Sequence, residues 1–289
     1  MTISVRPLKK MVKSLLQRCG YAVVPITGGM PPETCMPPAE LNPAPLLSAR
    51  MTTEGALANM KRVGFLPDIV VDVGAAYGDF TTTCLGLFPE AGYLLMEPLR
   101  EYEPFLAKLA QDHSRIIYVP AAAGREAGTL TINVHPDLVG SSFLLESEEN
   151  SDVNGDPRDV RVSTVDQEME AFHPEGSILL KADVQGAELI VLAGAEKTLG
   201  ASEVVILETT LFNAFENGPL IHEVVAYMVD RGFCMFDITG NLYRPLDGAL
   251  MQVDVIFTKQ DSLLRRFHAY ATEEQRKEQT ELFLRRRKM

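Results

Sequence analysis

The sequence predicts an α/β fold in which one mainly parallel sheet carries helices on both faces. Three observations support this. Beyond Pro67, short apolar runs of strand length alternate with stretches of helical spacing, the pattern of strands buried on both sides and joined by crossover helices. The first run, Ile69 to Val73, leads into a glycine-bearing turn and a helix start, the position at which open α/β sheets bind ligands. A length of 289 residues, 46% hydrophobic and 23% charged, suits one large domain with extensions and excludes a disordered, collagen-like or coiled-coil chain.

In chain order, residues 1–24 read as a basic amphipathic helix. Leu8, Met11, Val12, Leu15 and Leu16 fall at helical spacing beside Lys9, Lys10 and Lys13. The helix is expected to dock on its own domain or on a second subunit of a homo-oligomer, with weak contact to an anionic membrane surface as the alternative. Seven prolines between Pro25 and Pro45 make residues 25–50 an extended linker. The main domain then spans residues 51–260. Thr52 or Thr53 caps a helix that runs through Leu57 and Met60 to about Val63 and closes at Gly64. Seven strands are expected, at Ile69–Val73, Tyr93–Glu97, Ile116–Ala122, Ile178–Val184, Val204–Thr209, Cys234–Ile238 and Val253–Thr258. Helices are expected near Phe80–Leu87, Leu99–Asp112, Ala187–Leu199 and Leu220–Arg231, with an extra strand at Thr129–His135. Glu146–Asp159, with six acidic residues around Asn154 and Gly155, reads as a mobile edge loop. Residues 261–289 read as a charged helix.

Charge and cysteine usage narrow the functional classes. Of the net −12, the first twenty residues contribute +5 and residues 260–289 contribute +3, so the body between them stands at −20. Such a body repels phosphate backbones and argues against a nucleic-acid partner. No stretch approaches the ~20 uncharged apolar residues that cross a bilayer, and the basic N-terminus lacks the apolar core of a signal peptide. Cys19, Cys35, Cys84 and Cys234 lie far apart without a C-x-x-C pair, as expected of reduced thiols in a cytoplasmic protein.

The chemistry concentrates in a few places. Gly74 and Gly78 form a G-x-x-x-G turn that lets a ligand lie against the backbone after the first strand. Glu97 ends the next strand, twenty-five positions beyond Asp72, where a carboxylate accepts both hydroxyls of a ribose. Because strand side chains alternate, Lys181 and Asp183 share a face, and Glu188 begins the following helix. His113, His135, His173, His222 and His268 show no metal spacing. Residues 152–163 imitate a calcium loop, but Pro157 and Ser163 occupy positions where the glycine and the bidentate glutamate belong. No metal is assigned; a divalent cation held by Asp183 and Glu208 is the minority reading.

The stretches VVDVGAAYG (residues 70–78), LMEP (95–98), LKADVQGAE (180–188) and LAGA (192–195) resemble the FkbM family of S-adenosylmethionine-dependent methyltransferases. The resemblance runs from about Leu57 to Lys259, and its third block is the most specific. Gln185 departs from it, since the family usually has an acidic residue there. The resemblance implies a class I (Rossmann-like) methyltransferase with a seven-stranded sheet, the last strand antiparallel, and methylation of a hydroxyl on a sugar, glycan or polyketide-like small molecule. The cofactor is then S-adenosyl-L-methionine. By matched motif positions, Asp72, Gly74, Ala75 and Gly78 line its methionine side, Glu97 its ribose and Ala122 its adenine, while Asp183 stands where the transferred methyl should sit. Asp183 is the first candidate for general base and His222 the second, because a neutral imidazole suits that task near pH 7. Glu208, at the end of the fifth strand, is placed to shape the acceptor pocket. Transfer to an amine nitrogen, or a scaffold without catalysis, are the rival readings.

Overall fold

The computed structural model describes residues 50–146, 154–172 and 176–286. The expected basic helix, the linker up to residue 49, His173 and the centre of the acidic segment lie outside the described residues. The chain divides into two compact units, residues 38–270 and residues 1–37 with 271–289.

The larger unit opens with α1 (Thr53–Arg62), whose N-cap Thr52 accepts a hydrogen bond from the Gly55 N–H at 3.0 Å. Capping by Thr52 frees Thr53 to donate its hydroxyl to Asp254 at 2.8 Å. The elements that follow are β1 (Ile69–Val73), α2 (Asp79–Leu87), β2 (Gly92–Met96), α3 (Glu103–Asp112) and β3 (Ile116–Val119). After them come β4 (Ala122–Ala123), β5 (Gly128–Val134), β6 (Asp156–Ser163), α4 (Val165–Met169) and β7 (Ile178–Ala182). The unit continues with α5 (Glu188–Ala193), α6 (Glu196–Ala201), β8 (Ser202–Thr210), α7 (Ile221–Asp230), β9 (Phe233–Tyr243) and β10 (Leu250–Lys259).

Seven strands form the main sheet in the order β3-β2-β1-β7-β8-β10-β9. Neighbours from β3 to β8 are parallel, and β10, the last strand in sequence, runs antiparallel to both β8 and β9. Every residue of β1 and β7 is buried, as expected of central strands covered on both faces. Alternation sorts their side chains into two cores. Val71, Leu94, Leu180 and Leu207 face Met169, Leu192, Leu199 and Met228 from α4, α5, α6 and α7. Val70, Tyr93, Leu179 and Ile206 face Leu57, Cys84 and Leu106 from α1, α2 and α3.

Several boundaries differ from those expected, each for a local reason. The expected strand Ile116–Ala122 breaks at Pro120, which has no N–H for the ladder, and Ala122–Ala123 pairs instead with β6. The acidic stretch supplies a strand as well as a loop: Asp156–Asp159 opens β6, which pairs antiparallel with β5 from Val134↔Asp156 to Gly128↔Val162. The resulting small sheet, β4-β6-β5, was not foreseen. The expected helix Ala187–Leu199 is two helices broken at Gly194, where a Cβ would lie 2.0 Å from the Gly124 carbonyl oxygen. The helix expected from Leu99 begins at Glu103, with Pro104 in its first turn. β9 and β10 extend beyond the expected pair into a long hairpin, closed by the Arg244–Asp247 ion pair and Gly248 at φ +74°.

The described part of the second unit is α8 (Glu273–Arg286), within the tail read as a charged helix. Among the described residues no helix is long and apolar enough to cross a membrane.

Candidate active site

The carboxyl ends of β1, β2, β7 and β8 converge on a cleft with about 760 Å³ of empty space, its open mouth included. Gly74 anchors the β1 turn. At φ +77° it brings its Cα so close to β7 that an added Cβ would meet the Asp183 carbonyl oxygen at 2.0 Å, so only glycine fits. The turn continues through Ala76 at φ 45° and Gly78 at φ 82°, which caps α2. A left-handed alanine is strained. Here its N–H donates to Glu97 Oε2 at 3.0 Å, which holds the turn in place.

Glu97 follows β2 and is 5% exposed. Its Oε1 accepts the Leu99 N–H at 2.9 Å, so each carboxylate oxygen has one backbone donor and retains further acceptor capacity. Burial pushes its carboxyl up to about 7 despite the two backbone donors, with the Asp72 and Asp183 charges adding to the rise. Leu99 and Tyr102 complete that side of the cleft. Ala122 and Ala123 give it a small-residue wall next to Met96.

The opposite end is built by the LKADVQGAE block. Lys181 is buried, and its Nζ bonds Asp183 Oδ2 at 2.9 Å. Burial opposes its charge, but Asp183, Asp72 and Asp254 more than offset that and hold it above the usual lysine range. Glu188 accepts the Val184 and Gly186 N–H groups at 3.1 and 3.2 Å, which ties the loop back to the start of α5. Burial raises its carboxyl to about 7. Gln185, left-handed at φ 54°, bridges two carboxylates: its Nε2 donates to Glu208 Oε2 at 2.8 Å and to Asp183 Oδ1 at 3.3 Å. Gln252 Nε2 donates to the same Glu208 oxygen at 3.1 Å.

Of the residues expected to bind a cofactor, Gly74, Glu97, Ala122 and Asp183 line the cleft. Three are not among its lining residues. Asp72 lies fully buried beneath the turn, where it accepts the Thr81 hydroxyl at 2.7 Å and burial raises its carboxyl. Ala75 is buried with its N–H on the Met96 carbonyl, and Gly78 packs under Leu106 and Leu109. All three lie within or beneath the turn, and Ala76 lines the cleft beside them. His222 is exposed on the first turn of α7 and is also absent from the lining. Glu208 lines the cleft.

No sequence pattern marks the third wall. Leu138, Ser142 and Phe143, between β5 and β6, line the cleft, and the Ser142 hydroxyl donates to the Gln185 carbonyl at 2.7 Å. They follow no recognisable spacing. The side-chain amides of Gln185 and Gln252 become legible as site groups only once β7, β8 and β10 lie side by side.

A seven-stranded sheet with only β10 reversed, and a cleft at the carboxyl ends of β1, β2, β7 and β8, make up the class I, Rossmann-like methyltransferase fold. The chain belongs to the FkbM methyltransferase family: the Methyltransferase FkbM domain matches residues 72–235. It is 26% identical over 198 residues to the methyltransferase sdnD of Sordaria araneosa, a match covering 59% of this chain and 74% of that protein. Among solved structures it resembles a methyltransferase FkbM from Methylobacillus flagellatus KT, with 16% identity and a TM-score of 0.43 over 65% of this chain; the match spans 43% of that structure's length. Another is the 1,6-didemethyltoxoflavin-N1-methyltransferase of Burkholderia thailandensis with bound S-adenosylhomocysteine, with 13% identity, a TM-score of 0.39 and coverage of 90% and 92% of the two chains.

Proposed function

We propose that this chain is an S-adenosylmethionine-dependent O-methyltransferase acting on a hydroxyl of a sugar, glycan or polyketide-like small molecule. Glu97 carries the reading. It is a buried carboxylate on the cleft wall, positioned by two backbone N–H groups and with acceptor capacity left on both oxygens, which is what a ribose diol requires. When bound, S-adenosylmethionine supplies an electrophilic methyl group on a positively charged sulfur.

The chain's own residues do the rest. Gly74 lets the ligand approach backbone, and Ala122 and Ala123 leave room for a flat base beside Met96. Carboxylates at the ends of β2, β7 and β8 make the cleft favourable for a cation. Asp183 and Glu208 lie on the other side of β1 from Glu97, where they would orient the acceptor hydroxyl. Positioning that oxygen is the main catalytic contribution available. Its proton also has to leave, and these two carboxylates are the groups lining that end of the cleft.

The test is calorimetric titration with S-adenosylmethionine and S-adenosylhomocysteine, followed by transfer of labelled methyl to a panel of glycosides and alcohols. Fragmentation of the product should show an O-methyl ether. Methylation only at nitrogen would replace the reaction assigned here, and failure to bind either ligand would favour a non-catalytic scaffold.

A further inference from the structure

Glu208 differs from the other carboxylates of the site in its partners. Lys181, the buried cation of the cluster, is bonded to Asp183. Glu208 accepts hydrogen bonds from two neutral amides, those of Gln185 and Gln252, both on Oε2. The charged groups around it come from every neighbouring element. They are Asp183 and Lys181 of β7 and its loop, Glu188 of α5, and Asp254 of β10, which is its partner across the ladder. Three of those four are negative. Asp183 is fixed in place by its ion pair with Lys181 at 2.9 Å, which suits it to orienting the acceptor.

We propose that Glu208 is the proton acceptor of this site and that an arriving cation readies it: it carries a proton before cofactor binds and releases that proton when a sulfonium enters the cleft. The inference rests on the S-adenosylmethionine reading given above. Burial and the neighbouring carboxylates raise the Glu208 carboxyl well above its ordinary range, which supports the protonated resting state. An opposite charge in the same cleft favours the ionised form. Glu208 would therefore be a carboxylate only when there is a methyl group to transfer. In the transfer, the acceptor O–H bond breaks and its proton bonds to Glu208. The oxygen's electron pair forms the bond to carbon, and sulfur keeps the pair of the broken C–S bond. A carboxylate, an alcohol and a sulfonium thus become a carboxylic acid, an ether and a thioether, with no net change in charge.

S-adenosylmethionine and S-adenosylhomocysteine share ribose, adenine and amino-acid groups and differ by the methyl and the charge on sulfur, so they isolate the effect. Binding of each to the full chain is measured by calorimetry near pH 7 in buffers of different ionisation enthalpy, which counts protons exchanged. The expected result is a larger proton release with S-adenosylmethionine, most of the excess being lost in Glu208→Gln. Glu97→Gln serves as the control for the other cleft carboxyl, which meets the same ribose in both ligands. Should Glu208→Gln fail to fold, Gln252→Ala carries the test: removing one donor to the carboxylate should move the pH of greatest excess upward. Equal release by the two ligands, an excess unchanged in Glu208→Gln, or an unmoved pH in Gln252→Ala overturns the proposal. If the wild-type chain binds neither ligand, the S-adenosylmethionine reading itself has failed.

Discussion

Replacing Glu97 by Ala removes both oxygens that a ribose diol would meet, and it leaves the Ala76 and Leu99 N–H groups without their acceptor. Losing a charged hydrogen-bonding partner costs ~1.5–3 kcal/mol, or roughly 10- to 150-fold in Kd. The pH dependence gives a second measure of the same residue. Glu97 is 5% exposed, and burial raises its carboxyl from 4.5 to about 7. Two ribose hydroxyls donate best to the ionised form, so binding pulls that value down and affinity should climb as pH rises through about 7, then level off. Titration with S-adenosylhomocysteine between about pH 5.5 and 8.5 should show this rise in the wild type and a flat, weak profile in Glu97→Ala. Stability runs the other way. A carboxyl raised in the folded state favours the protonated form, so its effect is most favourable below 4.5 and is lost as pH rises through about 7, by about 3 kcal/mol for a shift of this size. A folded Glu97→Ala protein with wild-type affinity, or a wild-type affinity independent of pH, would refute the assignment of this carboxylate to the ribose.

Gly74→Ala forces a Cβ to 2.0 Å from the Asp183 carbonyl oxygen; the backbones of β1 and β7 must part, and a lowered urea midpoint equivalent to at least ~2 kcal/mol is expected. Lys181→Met strands the fully buried Asp72 without its neighbouring cation and should cost about 3–5 kcal/mol at pH 7, with a smaller deficit at about pH 5 as Asp72, raised by burial, gains a proton. Glu188→Ala leaves the Val184 and Gly186 N–H groups unpaired, so faster amide exchange at those two residues and a loss of about 1–3 kcal/mol are expected.

The main sheet was legible because its central strands are written as continuous apolar runs, and the turn glycines and Glu97 fall at fixed places relative to them. The LKADVQGAE block was legible for the same reason: alternation along β7 brings Lys181 onto the face of Asp183, and the structure joins them at 2.9 Å. The small sheet was obscured by its composition. β6 begins with Asp156, Pro157, Arg158 and Asp159, and only its later residues Val160, Val162 and Ser163 are buried, so half of the strand carries the signature of a loop. That Asp72 and Ala75 lie off the cleft lining has a simpler origin. A motif fixes which residues make a turn, whereas the direction each side chain takes depends on left-handed positions such as Ala76, which alanine gives no reason to expect.

The chain leaves the main sheet at Pro120, runs through β4, β5 and β6, and returns through α4 before β7. The excursion supplies Leu138, Ser142 and Phe143 to the cleft, yet the ladder joining β1 to β7 contains none of its residues. Two parts of the site are therefore subject to different rules of change. Substitutions at Gly74 or Asp183 disturb the framework directly, while insertions or deletions in the β5–β6 connection reshape the cavity and leave the Glu97 wall in place. On the proposed reading, a lineage could in this way acquire new acceptors through one surface excursion while keeping the Glu97 wall unaltered. On that reading, grafting residues 135–146 between relatives is the corresponding route for changing acceptor choice by design.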